Sequence, residues 1–278
     1  MSLYIRISHT KKGGAWGSGK PWMYRLCASP FLEAGLAVAV VGYRTYPDGS
    51  VQDQVDDLES AAKAIATQYP HLTRKPNDQS DKDWLGLTLM GHSSGAHIAM
   101  LMAVERIEKC LEKNQDYHAA DTLRFNNLVG LSGVFSISHH FDYEAGRGVE
   151  EISPMKPACG FTRESFDHFS PAIRLKSLLN KKSQKGNVDE IIYKLMPDTL
   201  LVHGCHDNIV PFFSTSEAAK ILRSCGVGVC QEHYMMCGHS DVVIELMCGG
   251  KTKEIVVDWL QNIRSSSNIR FDKLPSKL

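Results

Sequence analysis

An excess of charge of one sign is missing from this chain. Its 278 residues carry 31 Lys plus Arg against 31 Asp plus Glu, a formal net charge of zero. Without a basic surplus or stripe, there is no electrostatic footprint for a nucleic-acid partner. Long apolar runs are missing too. No stretch reaches the roughly 18 consecutive apolar residues that a membrane span requires. Met1-Ser2-Leu3-Tyr4-Ile5-Arg6 lacks the pattern of a secretory signal. The eight cysteines, Cys27, Cys110, Cys159, Cys205, Cys225, Cys230, Cys237 and Cys248, are scattered, and none shows the paired spacing of a zinc site. They read as reduced thiols that fill the core. No internal repeat is present, and no metal or cofactor is expected.

What remains is an ordinary globular balance, 43% hydrophobic and 22% charged residues, in a length suited to one large domain. Short apolar runs alternate with helical stretches. Leu3–Ile7, Ala37–Tyr43, Leu85–Met90, Leu128–Ser132, Thr199–His203 and Val229–Met235 read as strands. Between and after them, Val51–Tyr69, Ser94–Cys110, Ser214–Ser224 and Thr252–Ile263 read as helices; Val51, Val55, Leu58, Ala62 and Ile65 form one face of the first. Such alternation implies a mostly parallel sheet flanked by helices. Residues 136–196 break the rhythm. They are rich in His, Phe, Lys and Ser, with no clear strand, and are expected to form a cap over a site, lined by Phe135, Phe141, Phe161 and Phe166. The single domain is expected to span residues 1–263, with 264–278 as a flexible polar tail.

Chemistry enters at Gly91-His92-Ser93-Ser94-Gly95, a G-x-S-x-G sequence between an expected strand and an expected helix. A sharp turn there exposes the Ser93 hydroxyl, and the flanking glycines let strand and helix pass closely. In a fold built around such a turn, an acid and then a histidine follow on loops after later strands. Asp207 lies in His203-Gly-Cys-His-Asp207, and His239 in Cys237-Gly-His239-Ser-Asp241. Asp207 would orient one ring nitrogen of His239, and the other would take the proton of Ser93. Asp241 is the alternative acid. His203 and His206 precede the acid and read as structural, and His92 reads as packing beside the site. A Gly-rich turn, Lys12-Gly13-Gly14-Ala15-Trp16, follows the first strand. By its resemblance to the His-Gly-Gly-x-Trp turn of hormone-sensitive-lipase-type esterases, its main-chain N–H groups at Gly14 and Ala15, with that of Ser94, are the expected oxyanion hole.

These residues carry a resemblance. The turn at 12–16 is similar to the His-Gly-Gly-x-Trp turn of esterases of the hormone-sensitive-lipase type, with Lys12 in place of histidine. Gly13-Gly-Ala-Trp-Gly-Ser-Gly, Tyr43-Arg-Thr-Tyr-Pro47, Met90-Gly-His-Ser-Ser-Gly-Ala-His97, Gly130-Leu-Ser-Gly133, His139-His-Phe-Asp-Tyr-Glu144, Phe169-Ser-Pro171 and His203-Gly-x-x-Asp207 resemble the plant-type isoprenylcysteine methylesterases of the α/β-hydrolase superfamily. The resemblance implies an α/β-hydrolase fold and hydrolysis of the methyl ester on a prenylated C-terminal cysteine. Family members carry more chain before the Gly-Gly turn, whereas twelve residues precede Gly13 here.

Two other functions share the fold. An arylformamidase-like amidase uses the same triad. A non-catalytic ligand receptor lacks the histidine, which His239 supplies here. The chain ends Ser276-Lys277-Leu278, a tripeptide read by the peroxisomal import receptor as an address. A peroxisomal location is therefore expected, with the cytoplasm or the endoplasmic-reticulum surface as alternatives.

Overall fold

The computed structural model describes residues 3–7, 16–17, 21–73, 87–113, 123–180, 188–227 and 230–266. Six strands, β1 (Leu3–Ile7), β2 (Ala37–Val41), β3 (Leu87–His92), β4 (Phe125–Leu131), β5 (Asp198–Gly204) and β6 (Cys230–Met235), form one sheet in the order β2-β1-β3-β4-β5-β6. All five pairings are parallel. A parallel ladder has its crossovers packed on both faces, so its central strands are buried throughout. β5 shows this, with every residue from Asp198 to Gly204 buried. The edge strand β6 instead carries Gln231, Glu232 and His233, and polar side chains on an edge discourage pairing with another chain.

A short 3-10 helix (Pro21–Ala28) leads into α1 (Ser29–Glu33), and α2 (Val51–Gln68) and α3 (Pro70–Thr73) precede β3. α2 begins with a capping box in which Ser50 and Asp53 satisfy each other's main-chain N–H. α4 (Ser94–Lys113) follows β3; Ala96, Ile98, Ala99, Met100, Leu101, Met102 and Val104 are all buried, so this helix is wrapped on every side along its first three turns. Residues 136–196 fold as α5 (Ile137–Ala145), α6 (Met155–Ala158), α7 (Arg163–His168), α8 (Pro171–Asn180) and α9 (Val188–Leu195), with no strand among the described residues. α10 (Phe213–Ser224), α11 (Asp241–Cys248) and α12 (Lys251–Ser266) complete the chain. Two apolar cores result, one on each side of the sheet: Leu58, Leu89, Leu101, Phe135 and Leu201 in the first; Phe31, Met90, Val129, Val202 and Trp259 in the second.

Three expectations need correction. α12 runs on to Ser266, so the helix extends past the expected boundary at 263; residues 267–278 lie outside the described ones. Phe161 does not line an apolar interior, because it is 70% exposed. It follows Gly160, whose φ of 87° turns the chain outward, while Phe135 and Phe166 are buried and Phe141 packs on Phe166 at 5.0 Å. Finally, the 3-10 helix, α1 and α11 were not expected; all are short, and their apolar residues repeat too few times to show a period.

The strand order places a topological switch between β1 and β3, where the chain leaves β1 for the edge and then crosses back. In open parallel sheets, ligands bind outside the carboxyl ends of the strands at such a point. The Gly-rich turn follows β1, and Ser93 follows β3.

Candidate active site

Ser93 stands between β3 and α4 with φ of 56°, a left-handed backbone rarely held by a residue with a side chain. The turn is held from both directions. Ser93 N–H donates to Leu131 O on β4 (2.8 Å), and Ser93 O accepts from Ala96 N–H (3.0 Å) and His97 N–H (3.2 Å) as α4 begins. The crossing is so close that a Cβ on Gly91 would lie 2.2 Å from the Gly95 carbonyl carbon. Glycine at position 91 is therefore a packing requirement. Ser94 is the first residue of α4, where main-chain N–H groups have no partner within the helix and attract developing negative charge.

Asp207 and His239 lie on the loops after β5 and β6. The two loops are laced together: Cys205 N–H donates to Met235 O (2.6 Å) and His206 N–H to Cys237 O (3.0 Å). Gly204 is required, because a Cβ there would meet Cys237 O at 2.3 Å. The Asp207 carboxylate is fully engaged. Oδ1 accepts from the N–H groups of Ile209 (2.9 Å) and Val210 (2.8 Å). Oδ2 accepts from His239 Nδ1 (2.7 Å) and lies 3.2 Å from His203 Nε2. Burial by itself pushes this carboxyl up, but the hydrogen bonds from His203 and His239 outweigh it and hold it well below the usual carboxylate range. Asp207 is thus an ionised group that cannot rotate away.

The tautomers follow from the partners. His239 Nδ1 must carry the proton it gives to Asp207, which leaves Nε2 with a free lone pair. His203 Nε2 faces two acceptors, Asp207 and Val210 O (2.9 Å), so it carries the proton, and its Nδ1 accepts from the Thr215 hydroxyl (2.7 Å). His203 is completely buried, whereas His206 is exposed. Asp241, the alternative acid, uses Oδ2 to accept from Gly238 N–H (2.8 Å) and opens α11. The His92 ring stacks obliquely on the His239 ring at 4.7 Å and donates from Nε2 to His239 O (3.0 Å). This contact brings the histidine loop against the turn that holds Ser93.

Gly14 and Ala15 lie outside the described residues, but Trp16 immediately after them is described. Its indole N–H donates to His97 Nδ1 (3.0 Å), and its carbonyl accepts from Gln54 Nε2 (3.0 Å) and Tyr46 N–H (3.0 Å). His97 Nε2 in turn donates to Phe169 O (2.6 Å). Burial pushes His97 down to about 4, against the opposing pull of Phe169 O and with a further push from His140, so the ring is neutral. The residue pattern assigned no role to His97, although it sits one turn beyond Ser93. Only the bond to Trp16, 81 positions away, reveals it.

α5 lies beside the acid loop: the Tyr143 hydroxyl donates to Asn208 O (3.2 Å), and the Arg147 guanidinium reaches the same oxygen. The 136–196 segment is therefore anchored to both the acid loop and, through Phe169, the first turn of α4. Among the described residues, no group of three or more His, Cys, Asp or Glu side chains is placed to hold a metal ion.

The BD-FAE family model matches residues 10–222, more than half of the sequence. The chain belongs to the BD-FAE family. The segment matched contains the 12–16 turn, the Ser93 turn and Asp207. A probable isoprenylcysteine alpha-carbonyl methylesterase of Oryza sativa subsp. japonica is 26% identical over 253 residues, covering 91% of this chain and 56% of that protein. An isoprenylcysteine alpha-carbonyl methylesterase of Arabidopsis thaliana is 25% identical over 256 residues, covering 92% and 55%. The chain thus spans about half the length of these plant relatives. A kynurenine formamidase of Danio rerio is 29% identical over 144 residues, 52% of this chain and 40% of that one. Among solved structures, esterase B of Lactobacillus rhamnosis superposes with a TM-score of 0.67 at 16% identity, covering 96% of this chain and 77% of the other. Carboxyl esterase 2 of Tuber melanosporum superposes with a TM-score of 0.62 at 18% identity, covering 95% and 78%. These structural likenesses concern the fold, and the fold of this BD-FAE member is that of an α/β-hydrolase.

Proposed function

We propose that this chain is a carboxylester hydrolase that works through an acyl-enzyme on Ser93. The observation that carries the reading is the 2.7 Å bond from His239 to the buried, ionised Asp207 on adjoining loops, with Ser93 held on a strained turn against which the histidine loop packs. Ser93 Oγ attacks the ester carbonyl while His239 Nε2 takes its proton. The carbonyl oxygen becomes negative and is held by the N–H groups of Gly14, Ala15 and Ser94. The imidazolium, steadied by Asp207, protonates the departing alcohol. A water then enters, gives its proton to His239 and attacks the acyl group, which releases the acid and restores Ser93.

The physiological ester we propose is the methyl ester of a prenylated cysteine. The plant relatives, named for that activity and aligned over nine-tenths of this chain, support it. An arylformamidase-like amide hydrolysis is the second reading, supported by the formamidase relative. A panel of short p-nitrophenyl esters, a farnesylcysteine methyl ester and N-formylkynurenine separates them. The first reading expects turnover of the esters and loss of all turnover in Ser93→Ala. Turnover confined to N-formylkynurenine would replace it with the second.

We further propose a peroxisomal location through Ser276, Lys277 and Leu278, which would engage the import receptor. A fluorescent protein fused at the N-terminus should give punctate signal that turns diffuse when the last three residues are deleted. Diffuse signal from both forms would discard the proposal.

A further inference from the structure

Beneath α5 lies a second imidazole–carboxylate pair. His140 is 4% exposed and Glu144 8% exposed, one helical turn apart on the buried face of α5. His140 Nε2 lies 3.4 Å from Glu144 Oε1, which also accepts from the Ser153 hydroxyl at 2.8 Å. The remaining polar atoms of the pair, His140 Nδ1 and Glu144 Oε2, are buried and have no hydrogen-bond partner among the described residues. An unmade hydrogen bond on a buried polar atom is costly, and native proteins retain few. Two occur here on one helix.

Their surroundings point to the site. The His140 ring lies 6.4 Å from the ring of Trp16, the residue that follows the Gly-rich turn. Trp16 is pinned to His97, which starts the second turn of α4 after Ser93. On its other flank α5 touches Asn208, next to Asp207, through Tyr143. The pair therefore sits on the element that bridges Trp16 and the acid loop.

The chemistry of the ligand follows from the proton inventory. Glu144 Oε2 is the oxygen left open, because Oε1 already faces Ser153 and His140. A carboxylate oxygen has lone pairs and no hydrogen to give, so its complement is a donor. We propose that His140 and Glu144 form a subsite that receives an N–H group of the bound ligand, an amide or ammonium close to the carbonyl under attack. This deepens the ester-hydrolase reading above and rests on it for the bond that is cleaved. An N–H donor meeting a buried carboxylate discriminates strongly against a ligand that lacks it, because the acceptors are then left unpaired.

The test uses two ligands that differ only in that group. Ser93→Ala protein is titrated calorimetrically with N-acetylalanine methyl ester and with methyl 2-methyl-4-oxopentanoate, in which CH2 replaces the N–H. The subsite predicts that the N–H ester binds at least about tenfold more tightly, the scale of a hydrogen bond to a charged group. In the double variant with Glu144→Gln, which removes the charge of the acceptor but keeps an amide oxygen, the ratio should fall severalfold. Equal affinities in the Ser93→Ala protein would mean that solvent fills the free valences, and the proposal would be overturned. So would a tenfold ratio that survives Glu144→Gln. The comparison in Ser93→Ala needs no change at the pair, so misfolding of the double variant cannot hide the answer. Hydrolysis of p-nitrophenyl acetate by the unaltered protein separates the two readings. Discrimination without hydrolysis keeps the subsite and discards the esterase. Hydrolysis without discrimination does the reverse.

Discussion

Two histidine–carboxylate pairs flank the same site and are built in opposite ways. In Asp207–His239 the oxygen and nitrogen are 2.7 Å apart, and both carboxylate oxygens receive donors from Ile209, Val210, His203 and His239. In Glu144–His140 the separation is 3.4 Å, and one polar atom on each partner has none. Burial is similar, so burial does not distinguish them. The difference is closure. A pair whose every lone pair is used can hold one geometry through a reaction, which is what orienting a base requires. A pair with free valences is suited to accept something from outside. The origin of the difference is local: Asp207 sits on a turn whose own N–H groups fold back to it, whereas Glu144 lies within a helix whose N–H groups are already committed.

The comparison can be broken from either end. The largest effect is expected from Ser93→Ala, which removes the nucleophile proposed to be served by the closed pair. Turnover of a p-nitrophenyl ester should drop by about 10⁶, and labelling by a fluorophosphonate probe should vanish. Persistent labelling would place the nucleophile elsewhere. His239→Ala should cost as much.

Asp207→Asn ranks next, with a loss on the order of 10⁴ in kcat, because the wrong tautomer of His239 is then favoured. An unchanged rate would pass the role to Asp241 and end the contrast between the two pairs. His203→Phe removes one donor from the closed pair without touching His239. Activity should fall by about tenfold, the scale of one hydrogen bond, with a measurable change in the acid limb of the rate profile.

Stability in acid sharpens the contrast. Asp207 is held below its unfolded value, so its contribution is present above about pH 4 and is lost as the pH falls through and below that point. His97 acts earlier. Its folded value is about 4, below the ordinary 6.5, so the unfolded chain binds a proton first. The contribution of His97 should therefore fall between about pH 6.5 and 4, by a few kcal/mol, and then level off. Denaturant unfolding at pH 7 and at pH 4.5 measures this. His97→Gln should flatten the difference between the two pH values, and an unaltered slope in that variant would refute the assignment. The smallest effect belongs to Phe161→Ala. Exposed beyond the reach of either pair, Phe161 should change stability by less than about 0.5 kcal/mol and ester turnover hardly at all.

Much of the architecture was legible in the sequence because parallel strands buried on both faces must be apolar runs. Ala37–Val41 and Asp198–Gly204 stand out for that reason, and the observed bounds fall within a few residues of those expected. The Ser93 turn was legible because a side chain at position 91 would collide with the start of α4, and the placement of Asp207 and His239 on the loops after β5 and β6 because the order of elements leaves one loop for each. The five helices between Ile137 and Leu195 were not, since all are of ten residues or fewer and several of their buried groups are polar.

Residue types and their order along the chain thus determined by themselves the sheet, the turn that presents Ser93, and the candidacy of Asp207 and His239. All of these are set by short-range steric and burial requirements that leave a mark at neighbouring positions. Tertiary structure alone decided which atoms meet: His203 as the second donor to Asp207, His97 as the partner of Trp16, and His140 with Glu144 as a pair left open. A hydrogen bond depends on where two distant side chains come to rest to within a few tenths of an ångström. That placement is fixed by how helices pack on the sheet, and no local pattern of residues encodes it.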